Sequence, residues 1–167
     1  MTQLLRALLE EMTQNVTAIK NHPARLEAIA VEIPHSIRVM PTPGDEPLGD
    51  FNCVMHALAL VGRIKPPHSP VFGRFYADTG FLRFLIANKV LPPCAAENGA
   101  LVVWSSADAI KHVGLVVGPG RATSKWGIGY VYEHALLEVP ESYGDELLFY
   151  GAVNSAEALA QLHRYRA

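Results

Sequence analysis

Apolar positions change their spacing partway along this chain. Over residues 2–21, Leu4, Leu5, Leu8, Met12, Val16 and Ile19 recur at three- and four-residue intervals, with Arg6, Glu10, Glu11, Gln14 and Lys20 on other faces. That stripe predicts an amphipathic helix laid over a core; the alternative is a partner-binding or substrate-mimicking pro-segment. Residues 23–32 add a second short helix that Pro34 ends, and residues 37–40 read as a short strand. Pro41-Thr42-Pro43-Gly44-Asp45-Glu46-Pro47 is a stiff loop. It leads to Asp50-Phe51-Asn52-Cys53, behind which Val54-Met55-His56-Ala57-Leu58-Ala59-Leu60 has helical character. Lys65-Pro66-Pro67-His68-Ser69-Pro70 breaks structure again, and residues 79–89 form a helix with Phe81, Leu82, Leu85 and Ile86 on its apolar face.

From Gly99 onward the pattern is that of strands. Residues 100–104 are a short apolar run, residues 111–118 a second, and Gly118-Pro119-Gly120 a hairpin turn into a third at residues 121–126. Strands at residues 131–139 and 146–153 follow, then a closing helix at residues 155–165 capped by Asn154 or Ser155. Helices followed by antiparallel strands define an α+β domain.

Composition narrows the partners. With 167 residues, 50% of them hydrophobic, the chain makes one domain with a real core, residues 1–167. A formal net charge of −2, a pI near 6.4 and no Lys/Arg block give no electrostatic ground for a nucleic-acid partner or an anionic membrane surface. No apolar run reaches spanning length. Cys53 and Cys94 do not make a disulfide framework. The first twelve residues contain Glu10 and Glu11 and no signal-like apolar core, so the expected location is cytoplasmic, or outside by a route that needs no Sec signal.

The chemistry centres on Cys53. A thiol on the first turn of a helix meets unpaired N–H groups that favour its thiolate, with Asn52 or Asp50 as the cap. A thiol attacks an amide carbonyl when a histidine moves its proton and a third polar group fixes the imidazole. His112, at a strand start, is placed for that task, and the return strand brings Ser124 alongside it.

These stretches resemble a family. Asn52-Cys53 opening an apolar helix, Gly99-Ala100-Leu101-Val102-Val103-Trp104 as a strand, and His112-Val113-Gly114-Leu115-Val116-Val117-Gly118-Pro119-Gly120-Arg121 as a hairpin look like the papain-fold thiol hydrolases of the NlpC type, many of them bacterial cell-wall endopeptidases. The resemblance spans about residues 50–126 and implies a cysteine helix packed on a small antiparallel sheet. In that arrangement residues 1–33 are an N-terminal helical extension, 50–153 the catalytic core and 154–167 a C-terminal helix. It implies Cys53 as nucleophile, His112 as base and, twelve positions on, Ser124 as the third residue, with His134 as its rival. Asn52 is a candidate oxyanion donor. Lys125 reads as solvated or as the holder of a substrate carboxylate, and Trp126 as core or cleft wall. Ser124-Lys125-Trp126-Gly127 and Pro140-Glu141-Ser142-Tyr143-Gly144 resemble motifs of a less familiar papain-like branch.

The expected activity is cysteine-dependent hydrolysis of a peptide, isopeptide or peptidoglycan-type amide, with no cofactor and no metal. The alternatives are a glutamine deamidase effector or toxin of the same fold, which would call for an immunity or inhibitor protein as partner, and an inactive papain-like binding module. A zinc site from Cys53, His56, Cys94 and His112 has suitable ligand types but lacks close paired spacing. Otherwise His56 is a packing residue and Cys94 incidental.

Overall fold

The computed structural model describes residues 2–14, 16–64 and 77–167; the Pro-rich break at residues 65–70 lies outside them. Among the described residues six strands form one antiparallel sheet: β1 (Arg38–Met40), β2 (Leu101–Ser106), β3 (Ala109–Gly118), β4 (Arg121–Lys125), β5 (Val131–Ala135) and β6 (Glu146–Tyr150), in the order β1-β5-β4-β3-β2-β6. The domain is α+β, as its pattern predicts. Alternation along each strand sorts the side chains onto two faces. On one face Leu101, Val103, Val113 and Val131 pack under α3 (Cys53–Ala57), α4 (Thr79–Ala87) and α5 (Ser155–Arg166). On the other, Val102, Trp104, Val116, Ala122, Trp126 and Tyr132 pack under α1 (Thr2–Gln14) and α2 (His22–Glu32).

Helices α1 and α2 therefore pack on one face of the sheet and share in its core. The long first helix expected over residues 2–21 ends at Gln14, and a 3-10 turn, Val16–Asn21, follows. The β-branched pair Val16-Thr17 weakens helix formation there. The cysteine helix is shorter than its apolar run. Ala59 takes φ +53, and the Leu60 N–H turns back to the Met55 carbonyl at 2.8 Å, closing α3 after a turn and a half. Among the described residues no helix is long and apolar enough to cross a membrane.

Candidate active site

Helix α3 is started by its cap. Asn52 Oδ1 accepts the Met55 N–H at 2.9 Å, while Asn52 Nδ2 donates to the Ala77 carbonyl at 2.9 Å. One amide hydrogen of Asn52 is left over. Cys53 is half-buried on the sheet face that carries Leu101, Val103 and Val113, where the backbone N–H groups of Val113, Val54 and Cys53 itself favour its thiolate. Burial is nevertheless the largest influence and pushes the thiol up, so at neutral pH it is protonated. The thiolate expected from a helix start is not the resting form, because a five-residue helix has little dipole to set against desolvation.

His112 is 2% exposed and lies on the opposite side of β3 from Val113. Its ring stacks on Tyr143 at 3.9 Å between centroids and 18° between planes, and leans on Trp104 at 5.3 Å. Burial, and then the neighbouring His134 and His56, hold its pKa well below the ordinary histidine value, so the ring is uncharged. Its Nε2 is buried without a hydrogen-bond partner among the described residues. No described hydrogen bond joins Cys53 to a histidine, and at rest the two lie on opposite faces of the sheet: the thiol meets β3 at the Val113 amide, whereas the next side chain along, His112, packs on the other face with Trp104 and Tyr143.

Ser124 and His134, rivals in the sequence, are joined in the structure. Ser124 Oγ is 2.9 Å from His134 Nε2, and Trp126 Nε1 donates to Ser124 Oγ at 3.0 Å. His134 Nδ1 is 2.8 Å from the Ala135 carbonyl, which only accepts, so Nδ1 holds the proton. Burial pushes His134 down to about 4, which leaves the ring neutral and Nε2 bare. The Ser124 hydroxyl therefore donates to His134 and keeps one lone pair open. Gly114 makes room on this face: a Cβ there would lie 2.6 Å from the Thr123 carbonyl oxygen and 3.0 Å from Ser124 Cβ.

Lys125, expected in solvent or at a substrate carboxylate, is fully buried. It points to the α3 side, donates to the Gly127 carbonyl at 2.8 Å and lies 4.9 Å from the centre of the Phe51 ring. Burial lowers it to about 8, with the charge of Cys53 acting the other way. Trp126 is 1% exposed and packed against Tyr132 at 4.3 Å, so it is core rather than cleft wall. His56 Nε2 lies 3.3 Å from Thr123 Oγ1; burial and then Lys125 push this histidine down to about 4. The four candidate zinc ligands are not gathered: among the described residues no group of three or more His, Cys, Asp or Glu is placed to hold a metal ion.

The residue that sequence reasoning passed over is Tyr143. It sits in the Pro140-Glu141-Ser142-Tyr143-Gly144 stretch, noticed as a motif but given no role, and nothing local announces that its ring will meet a histidine 31 positions earlier. Comparison with known proteins returns no match to a family model, a curated protein or a solved structure.

Proposed function

We propose that the chain is a papain-like thiol hydrolase that cleaves an amide bond, with Cys53 as nucleophile and His112 as base. One observation carries the reading: Cys53 sits at the Asn52-capped start of α3 against strand β3, whose His112 is buried, uncharged and without a partner at Nε2 among the described residues; thiol and ring lie on opposite faces of β3 at rest, so the reaction requires the two to be brought to one side. An uncharged imidazole has a lone pair and can accept a proton. With thiol and ring both neutral at rest, the proton first leaves sulfur for the ring, and the thiolate then bonds to the carbonyl carbon as the C=O pair moves to oxygen. The Cys53 N–H and the remaining amide hydrogen of Asn52 face that oxyanion in this reading. The imidazolium then protonates the leaving nitrogen as the C–N bond breaks. Water, deprotonated by the same ring, hydrolyses the thioester and restores the thiol. In this reading Ser124, on the same sheet face as His112 and with a lone pair open, steadies the ring as it takes the proton, although at rest it makes no hydrogen bond to His112 Nε2.

The substrate class is an amide: a peptide, isopeptide or peptidoglycan-type bond, or a glutamine side chain. A panel of such amides should lose turnover by at least about a thousandfold in Cys53→Ala and in His112→Ala, with far-UV circular dichroism unchanged. Retained turnover in either variant rules out the pair. A second reading, a papain-like module that binds a partner without turnover, is favoured by the raised thiol. It requires wild type and Cys53→Ala to be equally inert on every amide offered.

A further inference from the structure

Lys125 is a buried ammonium that no acid neutralises. Among the described residues it has no carboxylate partner, and residues 65–76 contain no Asp or Glu. Its visible partners are weak compensation for lost hydration: one backbone carbonyl, that of Gly127, and the face of Phe51. A methionine would fill such a site without the desolvation cost.

The direction of α3 explains what the charge faces. Phe51, just before the helix, lies over Lys125, and His56, one turn into it, reaches Thr123 at 3.3 Å. Cys53 falls between those two anchors, so the first turn of α3 is held over residues 123–125 of β4. Lys125 is wholly shielded from solvent. It cannot greet a substrate carboxylate in this state, but it sits beside a group that acquires negative charge inside the protein.

We propose that Lys125 is the charge-balancing partner of Cys53, the fixed cation that steadies the thiolate once the proton has moved to His112. The inference rests on Cys53 being the nucleophile. It adds a second group to the ionisation of the thiol, one that keeps its own protons throughout and takes part only through its charge. Each group's charge bears on the other, that of Lys125 favouring the thiolate and that of Cys53 favouring the ammonium. Among the described residues, the other titratable groups near the thiol are His56 on its own helix and Tyr143 on the turn before β6, both uncharged at neutral pH, with His112 across the sheet and uncharged as well. Lys125 is then the one cation among these neighbours.

The test is the pH profile of Cys53 alkylation by iodoacetamide, followed residue by residue by mass spectrometry with Cys94 as internal reference. In Lys125→Met the Cys53 midpoint should rise by about one unit and its rate at pH 7.5 fall about tenfold. Lys125→Arg, which keeps the charge, should stay within about threefold of wild type. A Lys125→Met profile that overlays wild type overturns the proposal. A reciprocal measurement covers a misfolded variant. The Nζ signal of Lys125, followed by NMR in otherwise native protein, should titrate at lower pH in Cys53→Ala than in wild type, because the thiolate no longer favours the ammonium; an unchanged midpoint counts against the proposal as firmly. Failure here is separable from failure of the hydrolase reading. The first leaves turnover sensitive to Cys53→Ala and His112→Ala, whereas the second leaves those variants as active as wild type.

Discussion

At the scale of single residues, the site is governed by where protons reside in a buried polar row. Trp126 Nε1 donates to Ser124, Ser124 donates to His134, and His134 donates to the Ala135 carbonyl, each geometry leaving one assignment for the next. Removing the middle member strands both of its partners. Ser124→Ala should lower stability by about 2–6 kcal/mol, from roughly 1–3 kcal/mol for each of the two buried groups left unpaired. Urea unfolding monitored by Trp fluorescence reads that loss. If Ser124 also fixes the His112 ring, kcat falls about tenfold or more with KM unchanged, since small misplacements of a reacting group are costly. An unchanged kcat would assign Ser124 to scaffolding alone. The sequence placed Ser124 and His134 as competitors because it shows the order of residues along strands and not the cross-strand register; Ala122 pairs with His134 and Ser124 with Tyr132, which brings both polar side chains onto one face.

At the scale of elements, α1 reaches the site through a turn far away in sequence. Arg6 is buried, with Nε 3.2 Å from the Val139 carbonyl and Nη2 2.6 Å from that of Gly144, and with longer contacts of 3.4 Å to Pro140 and Glu141. One turn along, Glu10 accepts from the Ser142 N–H at 3.0 Å and from Ser142 Oγ at 2.6 Å. Helix α1 thereby grips the turn that carries Tyr143, and Tyr143 covers His112. A lysine at position 6 cannot span that fan of carbonyls as a planar guanidinium does. Arg6→Lys should cost about 2–4 kcal/mol of stability, and loosening Tyr143 should let the His112 midpoint drift up toward the ordinary histidine value. NMR titration of the His112 ring reads the second effect, and an unmoved midpoint would show that α1 holds the fold without touching the site. Helical spacing assigned Arg6 to the polar face of its helix. That assignment failed because its carbonyl partners lie 133 to 138 positions away, beyond any local pattern.

At the scale of the molecule, short apolar runs bounded by turns made the strands legible, and apolar stripes marked the helices, but not that these would form a layer on each face of the sheet. What sequence could not convey was the degree of closure. The sheet is packed on both faces, and Lys125, read from the sequence as solvated or at a substrate carboxylate, lies in the interior. Closure has a consequence for acid stability. His22, His56, His112 and His134 all have folded pKa values below the ordinary 6.5, with burial as the largest cause in each. As pH falls below 6.5 the unfolded chain takes up protons that the native state refuses, so the native state loses stability. The contribution is complete above 6.5 and fades toward the folded values, about 4 for His56 and His134. Each such histidine adds about 1.4 kcal/mol per pH unit to the slope across that window. Glu10, Glu133 and Glu138, whose pKa values are lowered, add their own losses only as pH falls below the ordinary carboxylate value of 4.5. The urea midpoint should therefore drop steeply between pH 6.5 and 4.5, ahead of any carboxylate, and His134→Gln should flatten the slope by about one proton. A midpoint that holds constant to pH 4.5 would mean that these rings charge freely inside the native protein, and an imidazole that charges freely at rest is no longer the neutral base on which the proposed reaction depends.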